Sequence, residues 1–336
     1  MKTKTGTLSK KVSKVLIVLL VLLFSFAVLS AGFTAVFFSV FFGRADRIEP
    51  GELLYADLGK NAPPREAISF LSGDRLLAGY LYFPQNEPKG MIVIAAGIAS
   101  GADSHLAETV RFLENGFAVF TFDGTGVRNS EGSGVIGLSQ AKIDTRSALW
   151  ALENDPRTNA LPFLLYGHSV GGYACASLLS EAERVKAAVS IGAFSSPEET
   201  MLYYGRKKVG FLADLEAPFL MLQNRLLFGA DADTSAIDAI NESGKPVLVV
   251  EGSEDQTVPD QIAISASRAR IINPNARFLT VSEPYRCGHS AAWLSADAAR
   301  YRLSLAEGEP VDKARANELD DAFMEQVISF FEDAIQ

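Results

Sequence analysis

The sequence predicts an α/β protein: a mostly parallel sheet with helices on both faces, preceded by one long apolar helix. Three observations lead there. Short, mostly apolar runs at 91–96, 117–122, 162–166, 185–191 and 246–250 alternate with helical stretches such as 104–115 and 139–153. Strands that are apolar all round and alternate with helices form a parallel sheet covered on both sides. The run at 162–166 passes straight through Gly167-His168-Ser169-Val170-Gly171 into a helix-forming stretch at 173–179. Finally, residues 15–43 are 29 residues without a charge, dominated by Leu, Val and Phe.

A chain of 336 residues with 48% hydrophobic content can bury a large core. Its net charge is −9, but residues 1–44 carry six basic residues and no acidic one, which leaves −15 on residues 45–336. A surface that acidic repels phosphate backbones and argues against a nucleic-acid partner. Two cysteines, Cys175 and Cys287, are too few for a disulfide framework or a structural zinc site. They are read as buried free thiols, with a disulfide between them as the alternative. Nothing in the sequence implies a metal or an organic cofactor.

Residues 15–43 exceed the roughly 20 apolar residues that cross a bilayer. Lys2, Lys4, Lys10, Lys11 and Lys14 precede them. A basic flank of this kind keeps the N-terminus (1–14) in the cytoplasm and sends the rest of the chain outside. The run is read as an uncleaved anchor in the lipid bilayer. A cleaved signal peptide is the competing reading, but its apolar region is usually much shorter. Residues 44–64, with three prolines and two glycines, read as a stalk and lead-in.

From 65 the order of elements is regular. Two β-rich runs, 67–71 and 76–83, surround the turn cluster Ser72-Gly73-Asp74-Arg75 and form a hairpin. The strand at 91–96 ends in Gly97-Ile98-Ala99-Ser100-Gly101, and the helix at 104–115 stops at Gly116. The strand at 117–122 ends in Asp123-Gly124-Thr125-Gly126. Further strands follow at 185–191, 246–250 and 277–282, then an amphipathic helix at about 318–335.

Gly167-His168-Ser169-Val170-Gly171 is a G-x-S-x-G pattern in the strand–turn–helix context that a nucleophile elbow requires. The turn pushes the serine hydroxyl out above the sheet edge. Gly167 and Gly171 are needed because a Cβ at either position would collide with neighbouring backbone. The helix that follows aims N–H groups and its positive end at the reacting centre.

With these features the chain resembles the α/β-hydrolases of the serine hydrolase type over about residues 65–335. It is most similar to the serine-aminopeptidase-like and acylaminoacyl-peptidase-like esterases. The resemblance implies a Ser-Asp-His triad in that chain order. The acid falls in Gly252-Ser253-Glu254-Asp255-Gln256-Thr257-Val258-Pro259, on Asp255, with Glu254 and Asp260 as solvated turn charges. The base falls on His289, after the last strand and behind Gly288, which would allow a tight turn. Of the other two histidines, His168 is the variable elbow position, and His105 reads as a surface or helix-capping residue.

Ser169 would be the nucleophile, with Asp255 orienting His289. The backbone N–H groups of Val170 and Ile98 would form the oxyanion hole. The family often has His-Gly where this chain has Ala96-Gly97. Because the donors are backbone groups, catalysis should survive that difference.

An insertion at about 195–243 is expected to cap the site, part of it lining an acyl or aromatic pocket. Glu198, Glu199, Asp214 and Glu216 are its candidates for holding a substrate amine. Residues 290–316 read as a surface insertion without chemistry. The expected activity is hydrolysis of carboxylic esters, with a small ester or short peptide as substrate. Two alternatives stand beside it: a peptidase acting on short or acylated peptides, and a catalytically inactive binding module of the same fold.

Overall fold

The computed structural model describes residues 5–306 and 309–336, with the side chains of 5–11 and 233 outside the description. The first element, α1 (Thr5–Phe41), is followed by the hairpin β1 (Arg65–Ser72) and β2 (Arg75–Tyr82). Then come β3 (Met91–Ala95), α2 (Leu106–Glu114), β4 (Ala118–Phe122), α3 (Gln140–Glu153), β5 (Phe163–His168), α4 (Val170–Ser177) and β6 (Val185–Ile191). The insertion supplies α5 (Pro197–Val209), α6 (Leu212–Phe228) and α7 (Ala236–Ser243). The chain closes with β7 (Val247–Gly252), β8 (Ala276–Val281), α8 (Ala296–Ser304), α9 (Lys313–Ala316) and α10 (Asp321–Ile335).

The eight strands form one sheet in the order β1-β2-β4-β3-β5-β6-β7-β8. The hairpin and its junction with β4 are antiparallel, and every later pairing is parallel. Sequence and position agree strand by strand. β3, β4 and β5 are buried at every residue and sit in the middle, while the mixed patterns of β1 and β8 lie at the two edges. Each face carries its own core. On one, Phe70, Phe120 and Leu165 meet Leu149 and Leu152 of α3, Tyr173 of α4 and Ile240 of α7. On the other, Ile92, Val119 and Tyr166 meet Phe112 of α2 and Phe323, Val327, Phe330 and Phe331 of α10.

Four expectations need correction. The elbow helix begins at Val170, three residues earlier than the pattern suggests, because it starts directly from the serine through Gly171 and Gly172. The last helix begins at Asp321, because the Asp320 carboxylate caps it by accepting from the Phe323 N–H. Residues 290–316 are not a surface appendage: Trp293, Leu294, Ala298 and Ala299 are buried in the second core. Residues 44–64 lie against the domain rather than running free as a stalk. Arg44 donates to the carbonyls of Arg128, Ser130 and Gly132, Glu52 pairs with Arg128, and the Tyr55 N–H donates to Asp103.

α1 is long and apolar enough from Val12 to Phe41 to cross a membrane. Ser30, Thr34, Phe38 and Phe42, four residues apart, are buried on one side of it. That side meets α6: Phe26 stacks edge-on against Phe219 at 5.8 Å, and Ser30 Oγ donates to Glu216 Oε1 at 2.9 Å. Phe38 and Phe42 pack with Met201 and Phe228. Beyond the helix end, the Val135 and Ile136 N–H groups donate to the Gly43 and Phe42 carbonyls.

Within the insertion, α7 packs on α4 and belongs to the sheet-covering layer, so the part standing off the sheet is α5, α6 and the turn after them. An ion cluster around one buried lysine fastens that turn to α3. Lys142, 1% exposed, bonds Glu181 and Asp231, and Arg146 donates to Asp231 and Glu181. Burial works to raise the Asp231 pKa, but the hydrogen bonds from Arg146 and Lys142 prevail and hold it below the usual carboxylate value. Lys142→Ala leaves Asp231 and Glu181 paired with Arg146 but removes the buried ammonium's bonds and the packing of its stem, so it should cost about 1–3 kcal/mol of stability, readable as a lowered midpoint in thermal or denaturant unfolding.

Candidate active site

β5 runs into the elbow, where Ser169 takes φ 57° and ψ −122°. A non-glycine residue in that region carries about 1–3 kcal/mol of strain. Close packing on both sides maintains it. A Cβ on Gly167 would fall 2.4 Å from the Gly171 carbonyl oxygen, and one on Gly171 would fall 2.0 Å from that of Ala95. Both glycines are thus required for the reason the sequence suggests. The Ser169 N–H donates to the Ile191 carbonyl at 2.8 Å, tying the elbow to the end of β6.

The residue just after β6 is Gly192, at φ 55°. A Cβ there would lie 3.2 Å from His289 Nδ1 and 3.3 Å from Asp255 Oδ2. Glycine at this point lets the carboxylate and the imidazole approach the elbow. His289 Nδ1 and Asp255 Oδ2 are 2.7 Å apart, with the side chains 15% and 5% exposed. The other Asp255 oxygen accepts from the Thr257 and Val258 N–H groups, each at 2.8 Å. An aspartate so held presents a fixed acceptor to the imidazole.

The loop carrying His289 is closed onto β7. The Glu254 N–H donates to the Cys287 carbonyl at 2.9 Å, and Gly252 leaves room for that carbonyl. Arg286, buried, donates to the Ala292 carbonyl and pairs with Asp320. Gly288 does not make the turn as the sequence suggests; the residue with positive φ is Tyr285, at 69°.

The 96–100 loop passes over the elbow, with Gly97 against the His168 ring and Ser169 Cβ. Ile98 and Val170 border one cleft, together with Thr125, Val135, Gly137 and Gln140. Asp144 lies at its floor, accepting from Ser72 Oγ, the Thr125 N–H and hydroxyl, and Gln140 Nε2. Burial pushes its carboxyl pKa up against those bonds.

Sequence reasoning missed the roles of His105, His168 and Trp293. His105 is not a surface residue: it is buried, bonded to Glu108 at 2.7 Å, and its ring lies 6.1 Å from that of His168. His168 Nε2 meets the His289 carbonyl at 2.9 Å, and the two rings are 4.7 Å apart. Trp293 touches both His105 and His168. The signal was present: the chain has only three histidines, and all three stand in one file. Burial, then the neighbouring His289 and His105, push the His168 pKa well below its usual value. A neutral His168 donates through Nε2 and holds the backbone of His289.

Of the acidic residues on the insertion, none lines the cleft beside Ile98 and Val170. Glu199 accepts from Ser195 Oγ, Asp214 pairs with Arg206, and Glu216 accepts from Ser30. Glu198 borders a separate cavity with Glu199, Leu202 and Arg270. Both cysteines are free thiols, Cys175 buried and Cys287 half-buried. Among the described residues no group of three or more His, Cys, Asp or Glu side chains is arranged to hold a metal.

Comparison with known proteins agrees with this architecture. The family described as serine aminopeptidase, S33, matches residues 86–243, a span that holds Ser169 but ends before Asp255 and His289. An esterase from Pyrococcus furiosus superposes with a TM-score of 0.59 at 15% identity, covering 88% of this chain and 99% of its own. The Butyrivibrio proteoclasticus protein Est1E, solved with ferulic acid bound, gives 0.55 at 17% identity, over 80% of this chain and 99% of its own. Pyrococcus horikoshii acylaminoacyl peptidase gives 0.52 at 14% identity, over 81% of this chain and 41% of its own. No curated protein matches the sequence. The chain is an α/β-hydrolase in fold.

His168 gives the fold a specific pH response. The unfolded histidine takes up a proton below about pH 6.5, which the buried one resists. Its stabilising contribution is therefore complete above that pH and falls away as the pH drops below it. Unfolding free energies of the wild type should decline below about pH 6.5 more steeply than those of His168→Gln, by up to ~1.4 kcal/mol per pH unit.

Proposed function

We propose that this protein is a membrane-anchored serine hydrolase that cleaves carboxylic esters through an acyl-enzyme. The observation that carries the reading is the 2.7 Å contact of His289 Nδ1 with a buried Asp255, at the strand edge from which Ser169 projects. Asp255 accepts from Nδ1–H, which leaves Nε2 as the base. His289 takes the Ser169 proton while Oγ attacks the ester carbonyl, and the oxyanion is met by the Ile98 and Val170 N–H groups. His289 then gives the proton to the departing alkoxide. Water, activated by the same imidazole, releases the acid and restores the serine.

The anchor reading is supported by the length of α1 and by its buried residues Ser30, Thr34, Phe38 and Phe42. Cleavage in the small-residue stretch 27–32 would remove Phe26 and its contact with Phe219, and at the later positions Ser30 as well, while Thr34, Phe38 and Phe42 would stay. The basic N-terminal flank puts the catalytic domain on the extracytoplasmic side. A peptidase reading is favoured by the serine aminopeptidase match. Aminoacyl-arylamides turned over as fast as simple esters would give it first place.

The direct test is fluorophosphonate labelling of the full-length chain in detergent. The wild type should label, and Ser169→Ala should not. Ester hydrolysis should fall on the order of 10⁶-fold in kcat for Ser169→Ala or His289→Ala. A folded wild type that fails to label would point to the inactive binding module. Rates on p-nitrophenyl esters should rise from acetyl to longer acyl chains, because Val127, Val135 and Phe122 give the cleft apolar walls. A flat series would remove the acyl pocket.

A further inference from the structure

The contacts between α1 and α6 fix the height of the insertion relative to a bilayer. At 1.5 Å per residue a helix crosses a hydrocarbon core of ~30 Å in about 20 residues. Counted from Val15, the first residue after Lys14, an upright α1 would leave the core at about residue 34, and tilt moves the exit further along. Phe26 and Ser30 therefore stand in the outer half of the core. These are the residues that touch Phe219 and Glu216 of α6. A helix in contact with α1 at that level is itself below the membrane surface.

The outward side of α6 suits such a place. Phe211, just before it, and Leu215, Leu222 and Leu226 along it are exposed, Leu226 to 73%. Their spacings of four, seven and four make one stripe. An apolar stripe of this size on a folded surface marks an interaction site. Arg206, Lys207 and Lys208 stand at the end of α5, just before α6, as cations do where an interfacial helix meets anionic headgroups.

The junction of the two helices also reaches the reaction cleft. A Cβ on Gly137, which borders the cleft, would meet Phe228 at 2.9 Å and Phe38 at 3.5 Å. α6 and α1 thus pack together against the back of one wall of the cleft, at Gly137.

We propose that α6 is embedded in the outer leaflet of the membrane that α1 crosses, so that the cleft draws an amphiphilic ester from the lipid phase. This rests on the anchor reading given above. The exposed leucines of α6 contact acyl chains.

Depth-dependent quenching tests it on the full-length chain. Leu222→Cys and Leu226→Cys, made with Cys287→Ser and labelled with a small fluorophore, are reconstituted into phosphatidylcholine–phosphatidylglycerol vesicles. Leu20→Cys in α1 reports the core, and Leu303→Cys on α8, exposed far along the chain, reports water. The two α6 labels should be quenched by doxyl-labelled lipid as Leu20 is, and several-fold less by iodide than Leu303. Quenching of both by iodide as at Leu303, with Leu20 still reached by lipid, overturns the proposal and leaves the anchor standing. Iodide access at Leu20 overturns both. Labels shielded from both quenchers, with the chain cross-linking to itself, would mean that a second copy covers α6, which also overturns it.

Discussion

The approach of the Gly171 backbone to the Ala95 carbonyl is the contact on which the site depends. It lets α4 begin directly at the end of β5, wedged against β3, and so forces Ser169 into a positive-φ conformation that few non-glycine residues adopt. The neighbouring strand ends then supply the rest: β3 the Ile98 loop, β6 the glycine that gives His289 room, β7 the Asp255 turn. Adjacent parallel strands end at one edge of the sheet, so groups far apart in sequence meet there without any long loop to position them.

Behind the candidate triad lies a second, drier layer. His105, His168 and Trp293 fill the space between the elbow and the loop that carries His289. Burial keeps His168 uncharged, and a charged ring there would sit beside the imidazole that the proposed acyl transfer would protonate. The layer thus keeps a competing positive charge away while fixing the His289 backbone.

Much of this was legible in the sequence. Mostly apolar runs gave the central strands to within a residue or two, because burial on both faces leaves few polar positions to confuse the pattern. The elbow and its glycines were legible because backbone sterics admit few residues there. Less could be read where the deciding factor was distance in space. The burial of His105 depends on Tyr166 and Trp293, sixty and nearly two hundred residues away. Residues 290–316 look polar enough for a surface, yet a few apolar positions, Trp293 and Leu294 among them, settle their place. Composition suggested a free stalk at 44–64, whereas Arg44 and Glu52 find their partners only once the 123–132 loop is formed.

The joint between α1 and the catalytic domain has a further consequence. Gly134 sits directly against the Phe42 carbonyl, and the strand-like bonds from Val135, Ile136 and Arg128 continue through Ala45 without a gap. There is no swivel in this stretch. A chain held in a bilayer by α1 would carry its reaction centre at one fixed standoff and one fixed tilt. Ordinary hydrolases search for substrate by diffusing in three dimensions. This one would sweep a plane, and its effective substrate concentration would be counted per area of membrane.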